Sequence, residues 1–161
     1  VMDILRDTAM APGDLQLEVT ESFAAQDELV TQRLQELAAL GIQLALDDFG
    51  TGYSSLACLH QLPVHVVKID RSFVGQVASS NHHRVLIEAT ILVARSLGMG
   101  TVAEGIETEE QAAALARLQC DKGQGYLFAR PMTAQQASQW LAGRSRPVTA
   151  PDETAALTAG C

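Results

Sequence analysis

The sequence predicts an α/β fold whose parallel strands build part of a TIM-like (β/α)8 barrel, about five strands of its eight, in a chain of 161 residues. Strand-like and helix-like segments alternate along the chain. Every strand brings polar side chains to one face, and those side chains lie toward the strands' C-terminal ends.

The first strand spans about 15–20, where Gln16, Glu18 and Thr20 share a face. A helix follows with Leu29, Val30, Leu34, Leu37 and Ala38 in one apolar stripe, and Gly41 is a fitting stop. The second strand, about 42–48, sends Ile42, Leu44 and Leu46 to one side and Gln43, Ala45 and Asp47 to the other. Lys68 and Asp70 share the polar face of the third strand, about 64–70. The longest helix opens near Asn81 and carries Val85, Leu86, Ala89, Leu92, Val93 and Leu97, which predicts a well-buried element ending at Gly98-Met99-Gly100. Glu104 closes the fourth strand, about 99–104, and Gln124 opens the fifth, about 124–128. Capping boxes at Thr108-x-x-Gln111 and Thr133-x-x-Gln136 start the later helices. The barrel segment is expected over 1–142, with Met99 and Trp140 in its core. The Gly/Arg/Ser/Pro and Ala/Thr-rich stretch 143–161 reads as a disordered tail.

An open sheet with helices on both sides would bury these polar groups apart and unpaired, at about 1–3 kcal/mol each and more for charges. A barrel lets them converge, at the end where parallel barrels carry active sites.

Composition narrows the function classes. At 47% hydrophobic the chain holds enough apolar matter for a core and is not globally disordered. No stretch approaches the ~20 apolar residues of a membrane span, and no signal-peptide pattern opens the chain. Cys58, Cys120 and Cys161 form neither CxxC nor a Cys/His cluster, which disfavours a disulfide framework or zinc and fits a reducing cytoplasm. A net charge of −8 argues against DNA or RNA backbone contacts, yet cations let an acidic protein hold a small phosphorylated ligand.

The chemistry centres on Asp47-Asp48-Phe49-Gly50-Thr51-Gly52, two adjacent carboxylates where an apolar strand meets a glycine-rich turn. Glu18, Asp47, Asp48 and Glu104 offer hard oxygen ligands that would repel one another unless Mg²⁺ or Mn²⁺ sat between them. Two such ions can clamp the attacking and leaving oxygens of an in-line phosphoryl displacement. Lys68, costly inside a barrel strand, then neutralises the carboxylates or orients water and developing charge, and Gln124 can bond that water or a ligand oxygen. Plainer readings stand beside these. Asp47 and Asp48 could cap amides of the Gly50–Gly52 turn. Lys68 and Asp70 could form an ordinary ion pair. Glu21 and Glu107 look like anchors for neighbouring loops. His60, His65, His82 and His83 show no ligand spacing and read as surface or packing residues.

Five motifs in order resemble the C-terminal two-thirds of an EAL-type cyclic di-GMP phosphodiesterase domain, from about residue 1 to 142. They are Glu18-Val19-Thr20-Glu21, Asp47 through Leu56, Lys68-Ile69-Asp70, Ala103-Glu104-Gly105-Ile106-Glu107 and Gln124-Gly125-Tyr126-Leu127-Phe128. The resemblance implies that Glu18 ligates a first metal, that Asp47 bridges it to a second, and that Asp48 and Glu104 ligate the second. It further implies that Lys68 and Gln124 contact water and phosphate, completing a catalytic set with Glu104. Glu21 would hold the loop after Asp48, which the family also uses to form homodimers, and Phe128, Arg130 and Pro131 match a segment near a guanine base. The implied reaction hydrolyses one 3′–5′ phosphodiester bond of cyclic di-GMP to linear pGpG. The implied setting is cytoplasmic, either free or as part of a larger membrane-attached signalling protein.

The Glu-Ala-Leu motif and the Asn-bearing strand that supply further ligands in the family are not in this sequence. The sheet is therefore expected to stay open at two edges, the first metal to bind weakly, and activity of the isolated chain to be impaired. A catalytically silent ligand-binding or protein-interaction scaffold is the alternative. An unrelated metal-assisted barrel lyase stands last, since it would not need this motif order.

Overall fold

The computed structural model describes residues 1–24, 27–50 and 56–143. Contacts divide the chain into Val1–Ala129 and Arg130–Cys161. In the first unit α1 (Met2–Asp7) precedes β1 (Gln16–Thr20), and α2 (Glu21–Ala24) and α3 (Glu28–Ala39) lead to β2 (Gln43–Phe49). A 3-10 turn (Leu56–Gln61), β3 (Val66–Ile69), α4 (Arg71–Val74), α5 (Asn81–Ser96), β4 (Gly100–Ala103), α6 (Glu109–Arg117) and β5 (Lys122–Gly123) follow. All strand pairs are parallel, and spatial order repeats chain order from β1 to β5. A doubly wound sheet would reverse its order at a switch point; this one advances steadily, as a barrel wall does. Among the described residues β1 and β5 are its edges.

The helices seat because their starts and stops are chemically satisfied. Asp27 caps α3 through Leu29 N–H, and Gly41 takes φ +87° so that its N–H reaches Ala38 O while Ile42 N–H reaches Leu37 O. Ser80 caps α5, and Thr108 with Gln111 forms the predicted box on α6. One core cluster gathers Leu34, Leu44, Leu46, Leu59 and Val67, with Met99 packed against it. A second gathers Ile69, Val74, Ile87, Ile91, Ala103, Ile106 and Leu115. Each fully buried Leu or Ile contributes about 1.5–3 kcal/mol, so these clusters fix which face of each strand is left for the site.

Several expectations are corrected. Helix α5 buries Ile87, Thr90, Ile91 and Ala94, whereas Val85, Leu86, Leu92 and Leu97 are exposed. The helix is apolar on more than one side, so periodicity alone did not choose the seated face; Thr90 can be buried because its hydroxyl donates to Leu86 O at 2.9 Å. Leu29, in the first turn of α3, is exposed as well. The fifth strand is Lys122–Gly123 rather than 124–128. Beyond Gln124 the aromatic run folds over the end of β4, with Leu127 N–H on Ile106 O and Phe128 N–H on Gly125 O. Its β propensity yields to this local hydrogen bonding.

In the second unit, Thr133 and Gln136 exchange both bonds of the expected capping box at the start of α7 (Ala134–Gly143). No residue of α7 is buried, so Trp140 is half-buried rather than core. The stretch 144–161, read as a tail, lies outside the described residues, and so do Thr51–Ser55, most of the expected dimerisation loop.

Candidate active site

Register and one irregularity bring the polar groups together. Across β1 and β2, Thr20 stands opposite Asp47 and Glu18 opposite Ala45, which places Glu18 one alternation below Asp47 on the same face. On β2, Leu46 pairs with Val67 but Phe49 pairs with Ile69, so the strand holds one residue more than its partner at Asp47-Asp48. Asp48 takes φ +55° there. Regular alternation would send Asp48 to the face opposite Asp47. The bulge and the left-handed turn bring it back, and that conformation is tolerable because a short carboxylate can bond locally.

Lys68 is the hub. Only 6% exposed, it sends Nζ to Glu18 Oε2 at 2.7 Å, Asp47 Oδ1 at 2.7 Å and Glu104 Oε1 at 2.8 Å. Three donors thus meet acceptors from β1, β2 and the end of β4. Burial alone would pull the ammonium's pKa down, but the hydrogen bonds to Asp47, Glu104 and Glu18 outweigh it and hold Lys68 above the ordinary lysine range. These carboxylates thereby favour the ammonium form of Lys68. Asp70 is not its partner: its carboxylate accepts from Ser72 N–H at 2.9 Å as the cap of α4. The plain Lys68–Asp70 ion pair is thereby excluded.

Gln124 sits one residue past β5, and its Nε2 donates to Glu104 Oε1 at 2.7 Å, the oxygen that Lys68 also takes. Glu21, 4% exposed at the start of α2, accepts from Gly50 N–H at 3.0 Å. Glu107 is exposed, and in its loop the bond is made by its backbone N–H to Gln111 Oε1 at 2.8 Å. Phe128 is exposed, while Arg130 and Pro131 open the second unit. His65 accepts from Leu44 N–H between β2 and β3, and His83 stacks edge-on to Phe73.

Ligand oxygens of Asp47, Asp48 and Glu104 lie within 4.8 Å of one another. Hard carboxylate oxygens around an excess of negative charge, four acids against one lysine, are the donor set that Mg²⁺, Mn²⁺ or Ca²⁺ takes. The residues present therefore fit a divalent ion. Glu18 stands outside that group of three and instead completes the shell of Lys68.

The bulge is the feature sequence reasoning missed. A consecutive Asp-Asp pair ahead of Gly50 was its only trace, because period-two reading can place just one of the two acids in the site.

Comparison with known proteins identifies the family. A family model described as EAL domain matches residues 1–131. The chain is 42% identical over 137 residues to the "Bifunctional diguanylate cyclase/cyclic di-GMP phosphodiesterase MucR" of Pseudomonas aeruginosa, covering 84% of this chain and 20% of that protein. Among solved structures, "PaMucR Phosphodiesterase, c-di-GMP complex" superposes with TM-score 0.80 at 42% identity, covering 85% of this chain and 56% of the other. The manganese/cy-diGMP complex of Klebsiella pneumoniae BlrP1 superposes with TM-score 0.77 at 32% identity, over 81% and 33%. This chain therefore spans only about a fifth of its curated relative's length, and over residues 1–131 it belongs to the EAL domain family.

Proposed function

We propose that this chain carries the hydrolytic centre of a cyclic di-GMP phosphodiesterase, which opens one 3′–5′ phosphodiester bond with water to give linear pGpG. The observation that carries the reading is the meeting of Glu18, Asp47 and Glu104 on one buried lysine beside the Asp47, Asp48 and Glu104 oxygens. Mg²⁺ or Mn²⁺ on Asp47, Asp48 and Glu104, with a second ion on Glu18 and Asp47, would polarise the phosphodiester and acidify the attacking water. Lys68, whose three donors hold Glu18, Asp47 and Glu104, would turn one of them to a phosphate oxygen once ions occupy those carboxylates. Gln124 holds Glu104 on one side and offers its remaining polar atoms to water or phosphate. Phe128 presents an exposed ring suited to a guanine face.

Glu21 steadies the turn after Asp48 through Gly50, in a loop that also serves a homodimer, and Glu107 anchors the loop after Glu104 through its backbone N–H on Gln111. The setting that fits this reading is the cytoplasm, either free or as part of a larger membrane-attached protein. No helix among the described residues is long and apolar enough to cross a membrane. Among the described residues the sheet is open at β1 and β5, which favours impaired turnover by residues 1–161 alone, with a silent cyclic di-GMP-binding or protein-interaction scaffold as the second reading. The test is Mg²⁺- or Mn²⁺-dependent release of pGpG from cyclic di-GMP by the full-length protein. Turnover lowered about 10²-fold by Asp47→Asn supports the proposal. Binding of cyclic di-GMP without turnover moves it to the scaffold, and neither binding nor turnover overturns both.

A further inference from the structure

Two chain segments interlock at the mouth of the site. Glu104-Gly105-Ile106 follows β4 and Gln124-Gly125 follows β5. Gln124 N–H donates to Ala103 O at 2.9 Å, Ile106 N–H to Gln124 O at 3.0 Å, and Leu127 N–H to Ile106 O at 3.0 Å. Ile106 is 2% exposed and lies against two glycines. A Cβ at Gly125 would stand 2.2 Å from both the N and the O of Ile106, and one at Gly123 would stand 2.5 Å from Ile106 Cδ1. The two obstacles differ in kind: main chain fixed by hydrogen bonds cannot yield, whereas Cδ1 ends a side chain and can be trimmed. The group this interlock carries is the Gln124 amide, 2.7 Å from Glu104.

We propose that Ile106 is a positioning residue for the hydrolysis, a buried wedge admitted by Gly123 and Gly125 that sets the Gln124 amide against Glu104. The inference rests on the phosphodiesterase reading above. With the wedge displaced, Gln124 leaves Glu104, and of its two side-chain partners among the described residues the Glu104 carboxylate keeps Lys68.

Steady-state kinetics on the full-length protein test this through the asymmetry of the two glycines. Gly125→Ala lowers kcat by about 10²-fold, the cost of a misplacement near 1 Å, and trimming Ile106 does not restore it. Gly123→Ala lowers kcat by about tenfold, the low end for losing a supporting contact, and adding Ile106→Val restores it because valine lacks Cδ1. On a Gln124→Ala background Gly123→Ala adds nothing further, since both act through one amide. A readout independent of turnover is the Gln124 side-chain amide resonance by NMR, which moves in Gly123→Ala and returns in the double variant. The Gly123 series carries the test if Gly125→Ala does not fold. The inference is overturned if Gly123→Ala leaves the resonance and kcat unchanged, if Ile106→Val rescues neither, or if the loss persists without Gln124. Absence of wild-type turnover would instead sink the phosphodiesterase reading, and the resonance would still decide whether Ile106 positions Gln124.

Discussion

At the N-terminal ends of the strands Asp121, Arg95 and His65 meet partners that match them, while at the C-terminal ends three carboxylates share one lysine. Below, Asp121 accepts from Thr101 N–H at 2.8 Å and Thr101 Oγ1 at 2.7 Å, and its own N–H donates back to Thr101 Oγ1 at 3.1 Å. Arg95 ties Gln119 twice, and His65 accepts from Leu44 N–H. Above, Glu18, Asp47 and Glu104 crowd Lys68, and Asp48 holds a left-handed backbone at a cost of about 1 kcal/mol. The lower rim is built for stability. The upper rim keeps an electrostatic conflict that divalent cations would resolve, so substitutions at the two ends should separate activity from stability.

The largest effect is expected at Lys68. Lys68→Met should lower kcat by about 10²–10³-fold, the scale for losing one group aimed at developing charge. In metal-free buffer it should also cost about 1–3 kcal/mol by chemical denaturation, less than a fully buried pair because the Glu18 side chain is nearly half exposed. Added Mn²⁺ should recover part of that stability, as a replacement counter-charge. Asp47→Asn sharpens the contrast: turnover falls by about 10²-fold, yet metal-free stability shifts by less than about 1 kcal/mol, since one of four mutually repelling charges is gone.

Asp121→Asn should do the reverse at the lower rim. It should cost about 1 kcal/mol in denaturant, a charged hydrogen bond discounted for exposure, and leave kcat unchanged. The smallest effect is its pH signature. Hydrogen bonds from Thr101 hold the Asp121 carboxyl below the ordinary carboxylate range. A depressed folded-state value means that its stabilisation is complete above the unfolded pKa, about 4, and is lost as pH falls through the lower folded value. The stability gap between wild type and Asp121→Asn should accordingly be constant above about pH 5 and close in more acidic buffer. A gap that widened there would break the comparison.

Much of this was legible in the sequence because burial writes a clear period. Strands β1 to β4 and both capping boxes appeared from alternation and from cap residues three apart, and the shared polar face led to Glu18, Asp47, Lys68 and Glu104. What stayed hidden depends on partners distant in sequence. No local pattern says that Leu127 N–H prefers Ile106 O to a strand ladder, so Tyr126-Leu127-Phe128 read as β5. Nor does a doubly apolar helix declare its seated face, hence the burial expected of Val85, Leu86, Leu92 and Leu97, which are exposed. The bulge that returns Asp48 to the site is a difference in register between β2 and β3, a property of the pair.

The central claim is that carboxylates from separate strands form one cation site at the C-terminal ends of the sheet. Titration calorimetry of Mn²⁺ into the full-length protein, wild type against Glu104→Gln, tests it most directly. The account predicts saturable binding to wild type and an affinity at least about tenfold weaker in the variant. Equal affinities, or no binding to wild type, would contradict it.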